Sequence, residues 1–369
     1  MGSPRLNPNL LTVPLYIAGR SVEDVKQELG LDEVIKLASN ESPVGPSPMA
    51  VAAARAMLDQ AHRYPGITDQ DLRSKLAGRL DAGFDAHNLI TGNGGTDVLR
   101  MMTQAFVFDG GNTVMSRVTF PMYRILTGAF GGAVRLVAAA PDYRHDLAAM
   151  AAAIDDDTRL VFLCSPNNPT GQIITQAEAD TFMARVPDHV VVVFDEAYYD
   201  YVTDSDYADS RAYIKEGRNV LILRSFSKTA GLANMRVGYA IGPAELVKYM
   251  RHAQLPFHTG AIALSAAYAS LDDETYHQRH KETVLNGRKF LADALSRMGL
   301  HCLSGQANFV LIANLPMATD ALVNGLLHRG FIVRGMAAFG LPDAIRVTVG
   351  SPAENEQFVA AMQAVLALP

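Results

Sequence analysis

The chain of 369 residues carries 32 basic and 38 acidic side chains, a formal charge of −6, and is 49% apolar and 19% charged. That is an ordinary globular make-up, long enough for about two domains of roughly 150 residues each. Mild acidity argues against nucleic acid or an anionic membrane as the main partner, and Cys164 and Cys302, in no CxxC pair, argue against a disulfide scaffold or a metal cluster and for a reducing compartment.

The opening stretch "MGSPRLNPNLLTVPLYIAGR" lacks the basic region and apolar core of a signal peptide, and it has Leu6 where myristoylation requires Ser or Thr. No apolar run is long enough to span a membrane, so a cytoplasmic location is expected. Residues 1–45 read as an arm ending in "ASNESPVGPSP", a loop rich in Ser, Asn, Pro and Gly. "PMAVAAARAMLDQAHRY" then has alanine-rich helical character.

From there short apolar runs alternate with helical stretches. The strand candidates are Asn88–Thr91, Asn112–Ser116, Ala133–Val137, Leu160–Cys164, Val190–Phe194, Val220–Leu223 and Val237–Ile241. They are rich in Val, Ile and Leu without polar alternation, which suits strands buried on both faces of a mostly parallel sheet. The alternation with helices predicts an α/β layered fold. After about Leu255 a long helical region, from about Gly260 to Met298, leads to "ANFVLIANL", "GFIVRGM" and "AIRVTVG", a smaller α+β domain. The expected layout is an arm (1–45) packed on the small domain, a large domain (46–255) and a small domain (256–369), with the boundary near Pro256.

The carboxyl ends of the predicted strands carry unusual residues: "GNGGTD", "RVTFPMY", "SPNNPTG", "DEAYYDY" and "RSFSK". Open α/β sheets bind ligands where strands end and helices begin, so these tips point to one site assembled from distant segments. In "GNGGTD", Gly95 and Thr96 could form a phosphate cup at a helix N-terminus, or the segment could be a tight turn with a capping residue. "VVVVFDEAYYDY" ends a strand in Asp195–Glu196. A nucleotide-hydrolase reading would need a GxxxxGK[ST] loop, and no lysine here follows a glycine. A carboxylate at that tip can instead hold a buried cation, with Tyr198 beside it. Asn168 offers an amide, and Phe120 a ring that could stack on a flat heterocycle. The same segment offers Tyr123, and an aromatic of either kind is more often core than ligand platform.

Ser225, Ser227 and Arg236 make a good set for a phosphate, and Lys228 has a spare amine. Ser225-Phe226-Ser227-Lys228 also matches the S-x-x-K pattern of serine acyl hydrolases, but no SDN accompanies it, and Lys228-Thr-Ala-Gly231 is the nearest approach to KTG. A phosphate cup, a flat-ring platform, an amide, an acid and an amine together fit pyridoxal phosphate. Its aldehyde takes a lysine, and its pyridine nitrogen needs a carboxylate to stay protonated.

The chain resembles the fold-type I pyridoxal-phosphate aminotransferases and, within them, the histidinol-phosphate aminotransferases. The resemblance rests on "KLASNESPVGPSP", "RYPG", "SPNNPTG", "DEAY", "SFSK" with an arginine eight residues later, "GFIVRGM" and "GLPDAIRVTVG", in the family's order over nearly the whole chain. It implies a large domain with a mostly parallel seven-stranded sheet plus the smaller α+β domain. It implies Lys228 as the imine-forming lysine and general base, Asp195 at the pyridine nitrogen, and Asn168 and Tyr198 at the ring hydroxyl. Phe120 stands where the family usually has a stacking Tyr. Gly95, Thr96, Ser225, Ser227 and Arg236 are implied at the phosphate, with Tyr64 reaching the cofactor of a neighbouring subunit in a homodimer. Arg346, Arg334, Tyr16 and Asn40 are implied at the substrate. The amino donor is then histidinol phosphate and the acceptor 2-oxoglutarate. An aromatic amino acid as donor, a lyase or decarboxylase on the same scaffold, and a non-catalytic sensor are the alternatives. "GGTD" replaces the family's commoner Gly-Ala-(Asp/Ser)-Glu, and His258, where Asn often follows Phe, reads as a packing residue.

Overall fold

The computed structural model describes residues 5–15, 19–65, 69–80 and 82–367. The arm holds α1 (Pro8–Thr12), α2 (Val22–Leu29) and β1 (Ile35–Lys36). Ser21 caps α2, and Gly30 ends it in the left-handed region. The large layer follows with α3 (Pro48–Met57), α4 (Asp69–Ala77), β2 (Leu89–Asn93), α5 (Gly95–Phe106), β3 (Asn112–Ser116) and α6 (Met122–Ala129). It continues through β4 (Ala133–Val137), α7 (Leu147–Ala152), β5 (Thr158–Cys164), α8 (Gln176–Met183), β6 (Val191–Asp195) and α9 (Ser210–Lys215). After β7 (Val220–Ser225) and β8 (Val237–Ile241) come α10 (Ala244–Arg251), α11 (Ala261–Ser270) and the long α12 (Glu274–Arg297). The chain closes with β9 (His301–Leu303), β10 (Phe309–Ala313), α13 (Thr319–Leu327), β11 (Phe331–Ile332), β12 (Arg334–Gly335), β13 (Ile345–Thr348) and α14 (Pro352–Leu366).

Among the described residues the main sheet has seven strands in the order β2-β8-β7-β6-β5-β3-β4. β8 runs antiparallel to both neighbours, and the other pairings are parallel. All strands but β8 therefore point their carboxyl ends at one edge, where the five unusual tips meet. Except at the edge strand β4, which is exposed or half-buried throughout, the strands of this sheet are buried on both faces, which is why they read as unbroken apolar runs. In β5, Val161 and Leu163 enter one core layer, and Leu160, Phe162 and Cys164 the other. In β6, Val192 and Phe194 alternate in the same way with Val191 and Val193.

The long helical region after Gly260 is two helices. Asp273 caps the second, accepting from Tyr276 N, while its other oxygen accepts from Ser47 Oγ at 2.6 Å. α11 packs on α3, and its Leu264, Ala266 and Ala267 belong to the large-layer core. The packing thus changes after α11 rather than near Pro256. The smaller core gathers α12, α13 and α14 around an antiparallel sheet, β12-β13-β10-β9. The arm divides: β1 pairs in parallel with β11, whereas α1 lies against α6 of the large layer. No helix among the described residues is long and apolar enough to cross a membrane.

Candidate active site

The carboxyl edge of the sheet and the face of the smaller domain enclose a cleft of about 450 Å³. Gly95, Thr96, Phe120, Asn168, Asp195, Tyr198, Ser225, Ser227, Lys228 and Arg236 line it from the large layer. Arg334 and Arg346 line it from the smaller sheet, and Asn40 from the arm. Tyr64 is elsewhere: it is 80% exposed and stacks on Phe257 with ring centroids 4.8 Å apart. Tyr16 lies outside the described residues. His258 meets Thr91 Oγ1 at 3.3 Å and Gln254 Nε2 at 3.2 Å, a local packing arrangement.

The cup forms where β2 turns into α5. No side chain caps α5; the N–H groups of Asp97 and Val98 bond to Gly94 O at 3.1 and 3.3 Å, and Gly95 and Thr96 ahead of them line the cleft. Gly94, with φ +84°, lets the chain turn there, and a Cβ on it would stand 2.3 Å from Arg236 Nη2. Arg236 is itself held at φ +53°, a left-handed conformation costing a non-glycine residue about 1–3 kcal/mol. Its guanidinium is thereby set against the glycine turn. Ser225 Oγ accepts from Ser227 N at 3.0 Å, fixing the hydroxyl side of the cup.

Asp195 is the last residue of β6 and 4% exposed. Strand alternation turns it to the face of Val191 and Val193, towards α6. There Tyr123 Oη donates to Oδ2 at 2.5 Å, and Ala197 N donates to Oδ1 at 3.1 Å. Burial pushes the Asp195 carboxyl up to about 6, with Glu196 adding to the rise, while the two hydrogen bonds and Lys228 pull it back. Both hydrogen-bond donors are neutral, so a cationic ring N–H would satisfy this buried carboxylate. Tyr198 Oη accepts from Asn40 Nδ2 at 2.9 Å. Asn40, itself at φ +56°, is gripped by Thr348 and by Asn308. Asn168 Oδ1 accepts from Arg346 Nη1 at 2.5 Å, and Ala38 O from Nη2 at 2.8 Å.

Lys228 Nζ donates to the carbonyls of Ser39 and Asn40, at 3.3 and 3.1 Å. Burial pulls its amine down to about 8. Arg346 and Arg236 push in the same direction, against Glu41 and Asp195. The neutral amine is therefore within reach just above neutrality. In the cofactor-free protein, modification of Lys228 by an amine-acylating reagent is expected to rise with pH through a midpoint near 8. A midpoint at the ordinary 10.5 would contradict this environment.

The uncapped cup, the buried carboxylate without a cation on its hydrogen bonds, the depressed lysine and the Phe120 ring fit pyridoxal phosphate. Sequence reasoning left two features out. Tyr123 stands beside Phe120 in the sequence as a second aromatic with no role of its own, and the structure buries it fully with its phenol on Asp195. Glu41, which also lines the cleft and forms an ion pair with Lys36 at 3.2 Å, gave no signal beyond its place after Asn40.

Residues 32–362 match the family model "Aminotransferase class I and II". The histidinol-phosphate aminotransferase of Moorella thermoacetica is 40% identical over 99% of this chain and 94% of its own length. That of Bacillus subtilis strain 168 is 40% identical over 98% of this chain and its whole length. The crystal structure of histidinol-phosphate aminotransferase from Sinorhizobium meliloti in complex with pyridoxal-5'-phosphate superposes with a TM-score of 0.89 at 26% identity, over 99% of this chain and 98% of that one. By fold, by cleft and by sequence, the chain belongs to the class I and II aminotransferases.

Proposed function

We propose that this protein is a pyridoxal-phosphate-dependent histidinol-phosphate aminotransferase, passing the amino group to 2-oxoglutarate in a ping-pong cycle. The observation that carries the choice of donor is the arginine pair at the cleft. Arg334 and Arg346 are direct cross-strand partners on β12 and β13, so both side chains leave the same face. Like charges placed opposite one another repel, and a dianion between them reverses the sign. Planar guanidinium groups also suit phosphate and carboxylate oxygens. A phosphorylated donor and a dicarboxylic acceptor both meet that requirement.

When bound, pyridoxal phosphate supplies an aldehyde for the substrate amine and a ring that takes up an electron pair. The protein's own part is binding, orientation and proton transfer. The N-terminus of α5 at Gly95 and Thr96, with Ser225, Ser227 and Arg236, would hold the phosphate. Phe120 would cover the ring face, and Asn168 and Tyr198 would take the ring hydroxyl. Asp195 would keep the pyridine nitrogen protonated. Lys228 Nζ, neutral once displaced, moves the proton of the donor's α carbon. Asn40, Tyr16, Arg334 and Arg346 hold the substrate. The protein works as a homodimer in the cytoplasm. The dimer is supported by Tyr64, which is exposed and outside its own chain's cleft, available to a neighbouring cofactor phosphate. The location is supported by two cysteines that form no disulfide.

The test is a half-reaction screen: holoprotein is mixed with histidinol phosphate, phenylalanine, tyrosine or glutamate, and the cofactor absorbance is followed. Histidinol phosphate is expected to convert the cofactor fastest and stoichiometrically to its amine form. Faster conversion by phenylalanine overturns the donor assignment, and product release without conversion marks a lyase. Arg334→Ala should raise KM for histidinol phosphate at least about tenfold, as expected from losing charge-assisted hydrogen bonds. KM for an unphosphorylated donor should change much less, and equal losses would contradict the assignment.

A further inference from the structure

Tyr123 is 0% exposed, yet its phenol is not aimed at a backbone carbonyl, the usual acceptor for a core tyrosine. Its ring is clamped. It stacks on Phe162 of β5, with centroids 4.6 Å apart and planes 3° from parallel, and it meets the edge of Phe120 at 5.7 Å. Phenylalanine would fill that slot as well as tyrosine does, so packing explains the ring and leaves the hydroxyl unexplained. The hydroxyl lies 2.5 Å from Asp195 Oδ2. Ala197 N occupies Oδ1, so each carboxylate oxygen has its own fixed donor and the group cannot rotate freely.

We propose that Tyr123 is a positioning residue for transamination: its phenol locks Asp195 in the charged, oriented form that the cofactor's pyridine nitrogen requires. This rests on the aminotransferase reading above. A phenol that donates to a carboxylate favours the ionised acid. Tyr123 can only donate here, because burial and the neighbouring Asp195 hold its own proton on far above the usual range. The other groups facing Asp195 do not substitute for it. Cys164, its register partner on β5, turns its thiol to the carbonyl of Pro166 at 3.5 Å. Glu196 forms an ion pair with Arg224 at 2.8 Å. Tyr198 is engaged by Asn40, and Lys228 is occupied by two backbone carbonyls. Phe120 thereby links two tasks, since the ring beside the cofactor also braces the tyrosine that sets the cofactor's counter-charge.

Tyr123→Phe keeps the stack and removes the donor. In the cofactor-free variant, the Asp195 carboxyl, followed by ¹³C NMR against the wild type, should titrate at a distinctly higher pH. In the holoenzyme, kcat near neutral pH should fall about ten- to hundredfold, the range for losing a hydrogen bond to a charged group. KM for the donor should stay close to wild type, and the acid limb of the pH–kcat profile should move upward. Site-specific 3-fluorotyrosine at position 123, a stronger donor, should move both midpoints the opposite way. An Asp195 titration and an acid limb unchanged in both variants overturn the proposal, and a lower melting temperature alone would not rescue it. If the wild type fails to transaminate at all, the functional reading falls, while the titration of the cofactor-free protein still decides the role of Tyr123.

Discussion

Lys228→Ala is expected to lower turnover with histidinol phosphate and 2-oxoglutarate by about 10⁴-fold or more. A positioned proton-transfer group is worth about 10²–10⁴ by itself, and this side chain also carries the covalent attachment to the cofactor. The cup is built from other residues, so the variant should still bind pyridoxal phosphate in equilibrium dialysis. Borohydride reduction of wild-type holoenzyme should fix the cofactor to the peptide containing Lys228, and the variant should take up no label there. Lys228→Arg should not restore activity, because a guanidinium stays charged at every accessible pH and cannot serve as the base. Turnover of the alanine variant within tenfold of wild type would remove Lys228 from the chemistry.

The second large effect is at Asp195. Unit charges about 4 Å apart at an effective dielectric near 20 attract by ~4 kcal/mol, and each ~1.4 kcal/mol is a factor of ten. Asp195→Asn should therefore cost about 10³-fold in turnover while leaving cofactor binding largely intact. The pH profiles separate the two proteins further. The wild-type carboxyl lies near 6 in the cofactor-free cleft, raised by burial. In the holoenzyme the ring cation draws the carboxyl below that value, so activity should decline on the acid side only as pH falls through a midpoint lower than in the cofactor-free protein. The asparagine variant should show no such limb. Near wild-type turnover in the variant would mean that the ring charge is set by another group.

Much of this site was legible in the sequence, for a physical reason. Strands buried on both faces stand out as Val-rich runs, and whatever follows them lies at the sheet edge. Even the direction of Asp195 can be read, because Val191, Val193 and Asp195 share one parity of β6. What could not be read depends on contacts between segments. Tyr123 meets Asp195 only because β5 and β6 bring Cys164 and Asp195 into register and α6 packs over them. The break between α11 and α12 falls at Asp273, which does two things at once. It caps its own helix, a local signal, and holds Ser47 far away in sequence, a tertiary one. α11 is apolar nearly all round, so no amphipathic stripe announced that it belongs against α3.

The reversed strand of the sheet has a kinetic corollary. β7 ends at Ser225, and β8, its antiparallel neighbour, begins at Val237, so the lysine rides on a short connection pinned at both ends. Phe226 N bonded to Val237 O, and Leu232 N to Phe226 O, tighten that tether. An amine so leashed is present at a very high effective molarity whether or not a substrate has displaced it. Recapture of the aldehyde form should then outpace its escape when the second half of the cycle ends, whereas the amine form left by the first half has no aldehyde for the lysine and depends on the phosphate cup to be kept.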